Sequence, residues 1–109
     1  KLNKMDDASQ RQEMNEITQK IIGCAYDVNN TLGVGFVEKV YENALAHLIR
    51  KSSLIVVQQH PIRVNFDNIA IGEFYADLLV ENRVLVELKA VSMLMDNHTA
   101  QALNYLRAS

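Results

Sequence analysis

Apolar residues recur along this chain in two rhythms, and the change between them divides it into elements. Between residues 15 and 32, Ile17, Ile21, Ala25, Val28 and Leu32 return every three or four positions, the stripe of an amphipathic helix. The segment "GVG" at 33–35 ends it. A second stripe of Val40, Tyr41, Ala44, Leu45, Leu48 and Ile49 predicts a helix over 37–51. The rhythm then shortens. "LIVVQQHPIRVNF" holds apolar runs and the alternation Ile62, Val64, Phe66, with Pro61 at a strand start or on an edge. After a turn at Asp67 and Asn68, "GEFYADLLV" and "VLVELKAV" read as two strands joined by Glu81, Asn82 and Arg83. Asp96 is placed to cap a last helix reaching Leu106. Helix, helix, two or three antiparallel strands, helix is an α+β order.

The hairpin between the last two strands has an unusual charge pattern. With residues 81–83 as the loop, Val80 pairs with Val84, and Asp77 falls opposite Glu87. In that register Phe74, Ala76, Leu78 and Val80 share a face with Val84, Val86, Leu88 and Ala90, which is wholly apolar and must be core. The other face sets Tyr75, Asp77 and Leu79 against Leu85, Glu87 and Lys89. Facing Cβ atoms lie about 5 Å apart, where two carboxylates repel by roughly 3 kcal/mol at an effective dielectric near 20. A shared proton, the Lys89 ammonium or a divalent cation can offset that cost. The plainer reading is a solvated Glu87–Lys89 ion pair on an exposed sheet face.

Composition narrows the class. The 109 residues suffice for one domain, with 49% hydrophobic residues and a net charge of −2. Lacking a basic excess, the chain must make any nucleic-acid contact locally. Cys24 is the only cysteine, which excludes an internal disulfide and a cysteine-rich zinc site and points to a reducing, cytoplasmic location. No apolar run reaches the length of a membrane span. Residues 1–14 are polar and are read as a segment outside a single domain over 15–109, with Met5 as a natural start.

Asp77, nine residues and then Glu87-Leu88-Lys89 is the spacing of the PD-(D/E)XK nuclease superfamily, which this sequence resembles. More closely it resembles the small GxxExxY proteins of that superfamily, whose motif stands here as Gly35-Phe36-Val37-Glu38-Lys39-Val40-Tyr41. Gln101-Ala102-Leu103-Asn104-Tyr105 is similar to the QxxxY element of related exonucleases. Ala76 replaces the superfamily's proline. The resemblance covers residues 17–107 and implies a restriction-endonuclease-like core, a small mixed sheet with an antiparallel hairpin flanked by helices. Such proteins usually add a further strand after the QxxxY helix, where this sequence stops.

The resemblance also implies roles. Asp77, Glu87 and Glu38, with the backbone carbonyl of Leu88, become ligands of Mg2+ or Mn2+. Lys89 becomes the catalytic cation that orients water or stabilises phosphate charge. Gln101 and Tyr105 become substrate contacts, and Tyr41 a packing residue that positions Glu38. Each has a plainer reading. Glu38 suits a first helical turn without any metal, and Lys89 can pair with either acid. His98 reads as a surface histidine, and Cys24 as core. Arg50, Lys51, Arg63 and Arg83 read as scattered surface charges before phosphate contacts. The implied activity is metal-dependent hydrolysis of DNA phosphodiesters, by in-line attack of a metal-activated water. The alternatives are a catalytically silent nuclease-fold module that binds nucleic acid or assembles as a homodimer, and a hydrolase of free nucleotides.

Overall fold

A computed structural model describes residues 7–97. Two helices come first, α1 (Asp7–Leu32) and α2 (Glu38–Lys51). Three strands follow, β1 (Val56–Phe66), β2 (Ile69–Val80) and β3 (Val84–Val86), and then α3 (Leu88–Asn97). The strands form an antiparallel sheet in the order β1-β2-β3, so among the described residues the sheet is antiparallel rather than mixed. The α+β class and the restriction-endonuclease-like expectation stand. No described helix is long and apolar enough to cross a membrane.

The core lies where the helices meet the proximal half of the sheet. Ile21, Leu45, Ile49, Leu78, Val80, Val84 and Val86 are its fully buried side chains. Cys24 is buried with them, its Sγ 3.6 Å from Ser52 Oγ, as the sequence suggests. Both turns of the sheet use left-handed backbone. Asp67 and Asn68 (φ 54° and 64°) make the two-residue turn of β1 and β2, a geometry that matches strand twist and suits Asp and Asn. Glu81 and Asn82 (φ 53° and 56°) begin the three-residue loop to β3. That loop produces the expected register: Val80↔Val84, Leu79↔Leu85 and Leu78↔Val86.

Besides the mixed sheet, further expectations need correction. The helix predicted over 15–32 begins at Asp7, inside the stretch read as lying outside the domain. There Met14 packs on the core, and the Arg83 guanidinium grips Glu13 at 2.7 Å and the Gln10 carbonyl at 3.4 Å. On α2 the buried face is rotated from the prediction: Val40 is exposed, whereas Glu42 is buried beside Leu45, Ala46 and Ile49.

The third correction concerns "VLVELKAV", which is not one strand. It pairs only through Val86 and turns into α3 at Leu88. Leu88, Val91 and Leu94 are buried with Met95 half-buried, a spacing of three and four that suits a helix. The last helix therefore starts eight residues before the predicted Asp96. Phe74, assigned to the core, lies on its expected face but beyond the covering helices, where it is exposed.

Candidate active site

The junction between β3 and α3 gathers the acids. The Val91 N–H donates to the Glu87 carbonyl at 3.1 Å, which makes Glu87 the residue that opens α3. The free N–H of Leu88, in the first turn, donates to Asp77 Oδ2 at 2.7 Å. A carboxylate from the neighbouring strand thus caps the helix, favoured both by the unpaired donor and by the positive end of the helix dipole. Leu88 meets Asp77 through its N–H. Although the ladder stops one pair short of Asp77 and Glu87, the cap keeps the two residues adjacent.

Glu87 registers its surroundings. Burial, and then the negative charges of Asp77 and Glu38, push its carboxyl above the usual carboxylate range. Asp77 on β2, Glu87 at the start of α3 and Glu38 at the start of α2 therefore share one electrostatic neighbourhood. Lys89 is exposed in the first turn of α3 and makes no ion pair with either acid among the described residues.

A protonated Glu87 fits this site better than an ionised one, so its charge costs stability as pH rises through the raised folded value. The penalty is absent below the ordinary carboxylate range. Glu87→Gln is therefore expected to raise Tm at neutral pH in a chelator by a few degrees, corresponding to a few tenths of a kcal/mol after solvent screening. Differential scanning calorimetry of both proteins with EDTA checks this, and an unchanged or lowered Tm would count against the crowding of the acids.

Glu38 is held by the motif around it. Gly33 (φ 69°) ends α1 with its N–H on the Asn29 carbonyl, and Gly35 (φ 107°) needs a conformation that side chains rarely adopt. The Tyr41 hydroxyl donates to the Gly33 carbonyl and accepts the Phe36 N–H at 3.4 Å, while its ring meets Phe36 edge-on at 6.1 Å between centroids. Tyr41 thus fastens the loop that leads into Glu38. Removing its hydroxyl in Tyr41→Phe is expected to cost about 1 kcal/mol, read as a lower urea midpoint with the slope unchanged.

Two contributors are not apparent from sequence motifs. Glu42, 3% exposed, accepts from Lys39 at 3.1 Å, Gln58 at 2.8 Å and Gln59 at 2.9 Å. Burial raises its carboxyl, but the hydrogen bonds from Gln58, Lys39 and Gln59 together with the Lys39 charge outweigh it, leaving the group below the usual range. Gln59 also reaches Asp77 Oδ1 at 3.4 Å and so links the buried acid to the site. It lies between the pairs Gln58↔Leu78 and His60↔Ala76 of the β1–β2 register with φ 53°, a left-handed turn within a strand that costs of order 1 kcal/mol. The available clue was Glu42 itself, which falls on the 42-45-46-49 stripe.

The donor set is oxygen only, which suits a hard divalent cation. Mg2+ is commonly held by one or two carboxylates with the rest of its shell left to water. Asp77 and Glu87 meet that requirement, with Glu38 nearby. Among the described residues no three His, Cys, Asp or Glu side chains stand close enough together to grip a metal by themselves. Gln101, Tyr105 and His98 lie outside the described residues. Arg50, Arg63 and Arg83 are engaged, with the Val56 carbonyl, Glu73 and Glu13 respectively.

A family model for the PD-(D/E)XK nuclease superfamily matches residues 15–109. No curated protein and no solved structure matches the chain.

Proposed function

Because the chain belongs to the PD-(D/E)XK nuclease superfamily, we propose that it hydrolyses DNA phosphodiesters at Asp77, Glu87 and Glu38, with Mg2+ or Mn2+ as cofactor. The observation that carries this reading is the β3–α3 junction, where Asp77 caps the helix that Glu87 opens and the charges of Asp77 and Glu38 bear on the Glu87 carboxyl. Uncompensated negative charge of this kind is what a bound cation relieves. When bound, the cation supplies Lewis acidity toward the phosphate and makes water nucleophilic at neutral pH.

The chain's own groups do the rest. Asp77 is fixed by the Leu88 N–H and by Gln59, so its free lone pairs keep one direction. Glu87 is fixed by the cap of α3. Lys89, exposed in the first turn of α3, is proposed to swing its ammonium to the bound phosphate and offset charge there as the bond to the leaving oxygen lengthens. Gln101 and Tyr105 complete the proposal as contacts to the nucleotide.

The test is cleavage of single-stranded, duplex and branched DNA, and of RNA, by purified protein with Mn2+ and with EDTA. Cleavage of DNA that stops in EDTA supports the reading; no cleavage of any substrate contradicts it. One observation favours a second reading, a nuclease-fold module without turnover: no described trio of side chains grips a metal. That module would bind DNA equally well with and without the cation and cut nothing.

A further inference from the structure

The distal half of the β1–β2 hairpin is an arm without a covering layer. β3 pairs only with Leu78, Leu79 and Val80, so from Ala76 outward the sheet has two strands. Every residue of β2 from Ile69 to Tyr75 is exposed. A two-stranded ribbon alone is marginal in water. Its sequence is nonetheless apolar: Val64, Phe66, Ile69, Ile71 and Phe74 are 40%, 70%, 62%, 60% and 45% exposed.

These residues are not scattered. Phe74 shares the face of Ala76 and Leu78 by strand alternation, and Ile62 pairs with it directly. Val64 lies two residues along β1 from Ile62, and Phe66 pairs with Ile69 at the tip. The core face of the sheet thus continues past the helices as an open surface. Leaving out Ile71, the extra residue of β2 at the register shift, the exposed side chains of this face present on the order of 400 Å², within the range of the largest patch on a soluble monomer and enough for the apolar centre of an interface of roughly 800 Å² per partner.

Charge and edge geometry select the occupant. Residues 60–76 carry one basic residue, Arg63, against Asp67 and Glu73, and Arg63 is paired with Glu73 at 3.2 Å. A surface for phosphates, whether of nucleic acid or lipid, would carry a basic excess instead. Strand addition along β1 is hindered by Pro61, which lacks a donor, and along the outer edge of β2 by the extra residue Ile71 at the register shift opposite Val64 and Asn65, which twists the ribbon. The face itself is apolar and nearly uncharged, which suits face-to-face packing.

We infer that two copies of this chain pair through this arm, each laying its Ile62–Phe74 face on the same face of the other about a two-fold axis. Such a self-complementary contact buries both patches at once and gives each ribbon the second layer it lacks. The inference does not depend on the nuclease reading.

Sedimentation velocity across a wide concentration range tests it, with parent and the tip variant Phe66→Ser/Ile69→Thr side by side. The expected result is a parent at twice the chain mass and a folded variant at the chain mass, with dissociation shifted at least tenfold in concentration. A monomeric parent at tens of micromolar overturns the inference, as does a variant that still dimerises. Should the variant not fold, hydrogen exchange of the parent decides. Protection over residues 62–74 that grows with concentration supports pairing. Protection independent of concentration assigns the face to an intramolecular cover and overturns it.

Discussion

Asp77→Asn is expected to remove divalent-cation-dependent cleavage while leaving the fold almost untouched. Asparagine keeps an oxygen that can accept the Leu88 N–H, so the cap of α3 survives, but it lacks the charge that holds a cation. Groups that only support a metal ligand change affinity or activity by about 10–100-fold when removed, so loss of the ligand itself should exceed about 100-fold. Initial rates on a labelled oligonucleotide in Mn2+, with urea unfolding of the same preparations, separate the two effects. Asp77→Ala should lose the activity and in addition about 1 kcal/mol of stability, because the cap goes too. Cleavage by Asp77→Asn at the parental rate would remove Asp77 from the site.

Glu42→Ala is expected to be the most destabilising of the substitutions considered, by about 2–4 kcal/mol. The change empties a buried position and removes the acceptor shared by the amides of Gln58 and Gln59 and the ammonium of Lys39. Against a total of about 5–15 kcal/mol for a domain, that is a large fraction. Urea unfolding measures it. A loss below about 0.5 kcal/mol would mean that the network is replaced by water at no cost. The pH dependence has a definite sign. With its folded carboxyl held below the ordinary value, ionised Glu42 contributes stability above that ordinary value. The contribution fades as pH falls through the lower folded value. The stability gap between parent and Glu42→Gln should therefore narrow in acid.

How much of this was legible in the sequence follows from the range of the interactions. The β2–β3 register was legible because three loop residues fix which positions face each other, and Asp77 and Glu87 came with it. The helical spans of α1 and α2 were legible because their stripes are local. The end of β3 was not: the alternation Val84, Val86, Leu88 and the helical spacing Leu88, Val91, Leu94 share Leu88, and both describe the same apolar letters. The conflict is resolved by Asp77, eleven residues back, whose carboxylate takes the Leu88 N–H and starts a helix.

The same reason hid Glu42. On a stripe of its own helix it is the charged exception, and besides Lys39 three residues before it, the donors that satisfy it are Gln58 and Gln59, 16 and 17 residues away. The left-handed Gln59 has no sequence marker, since no glycine or asparagine stands there. At the N-terminus, the grip of Arg83 on Glu13 and Gln10 joins residues 70 or more apart, beyond any local pattern. Local periodicity thus located the strand that carries Asp77 and the helix that carries Glu38, but not the start of the helix that Glu87 opens. The long-range contacts decide how those acids are held.

The claim that these acids form a cation site is tested most directly by anomalous diffraction from crystals soaked in Mn2+. The account predicts a peak between the carboxylates of Asp77 and Glu87, about 2.0–2.3 Å from an oxygen of each. A well-ordered soak with no peak there, or with its only peaks at surface carboxylates elsewhere, would contradict it.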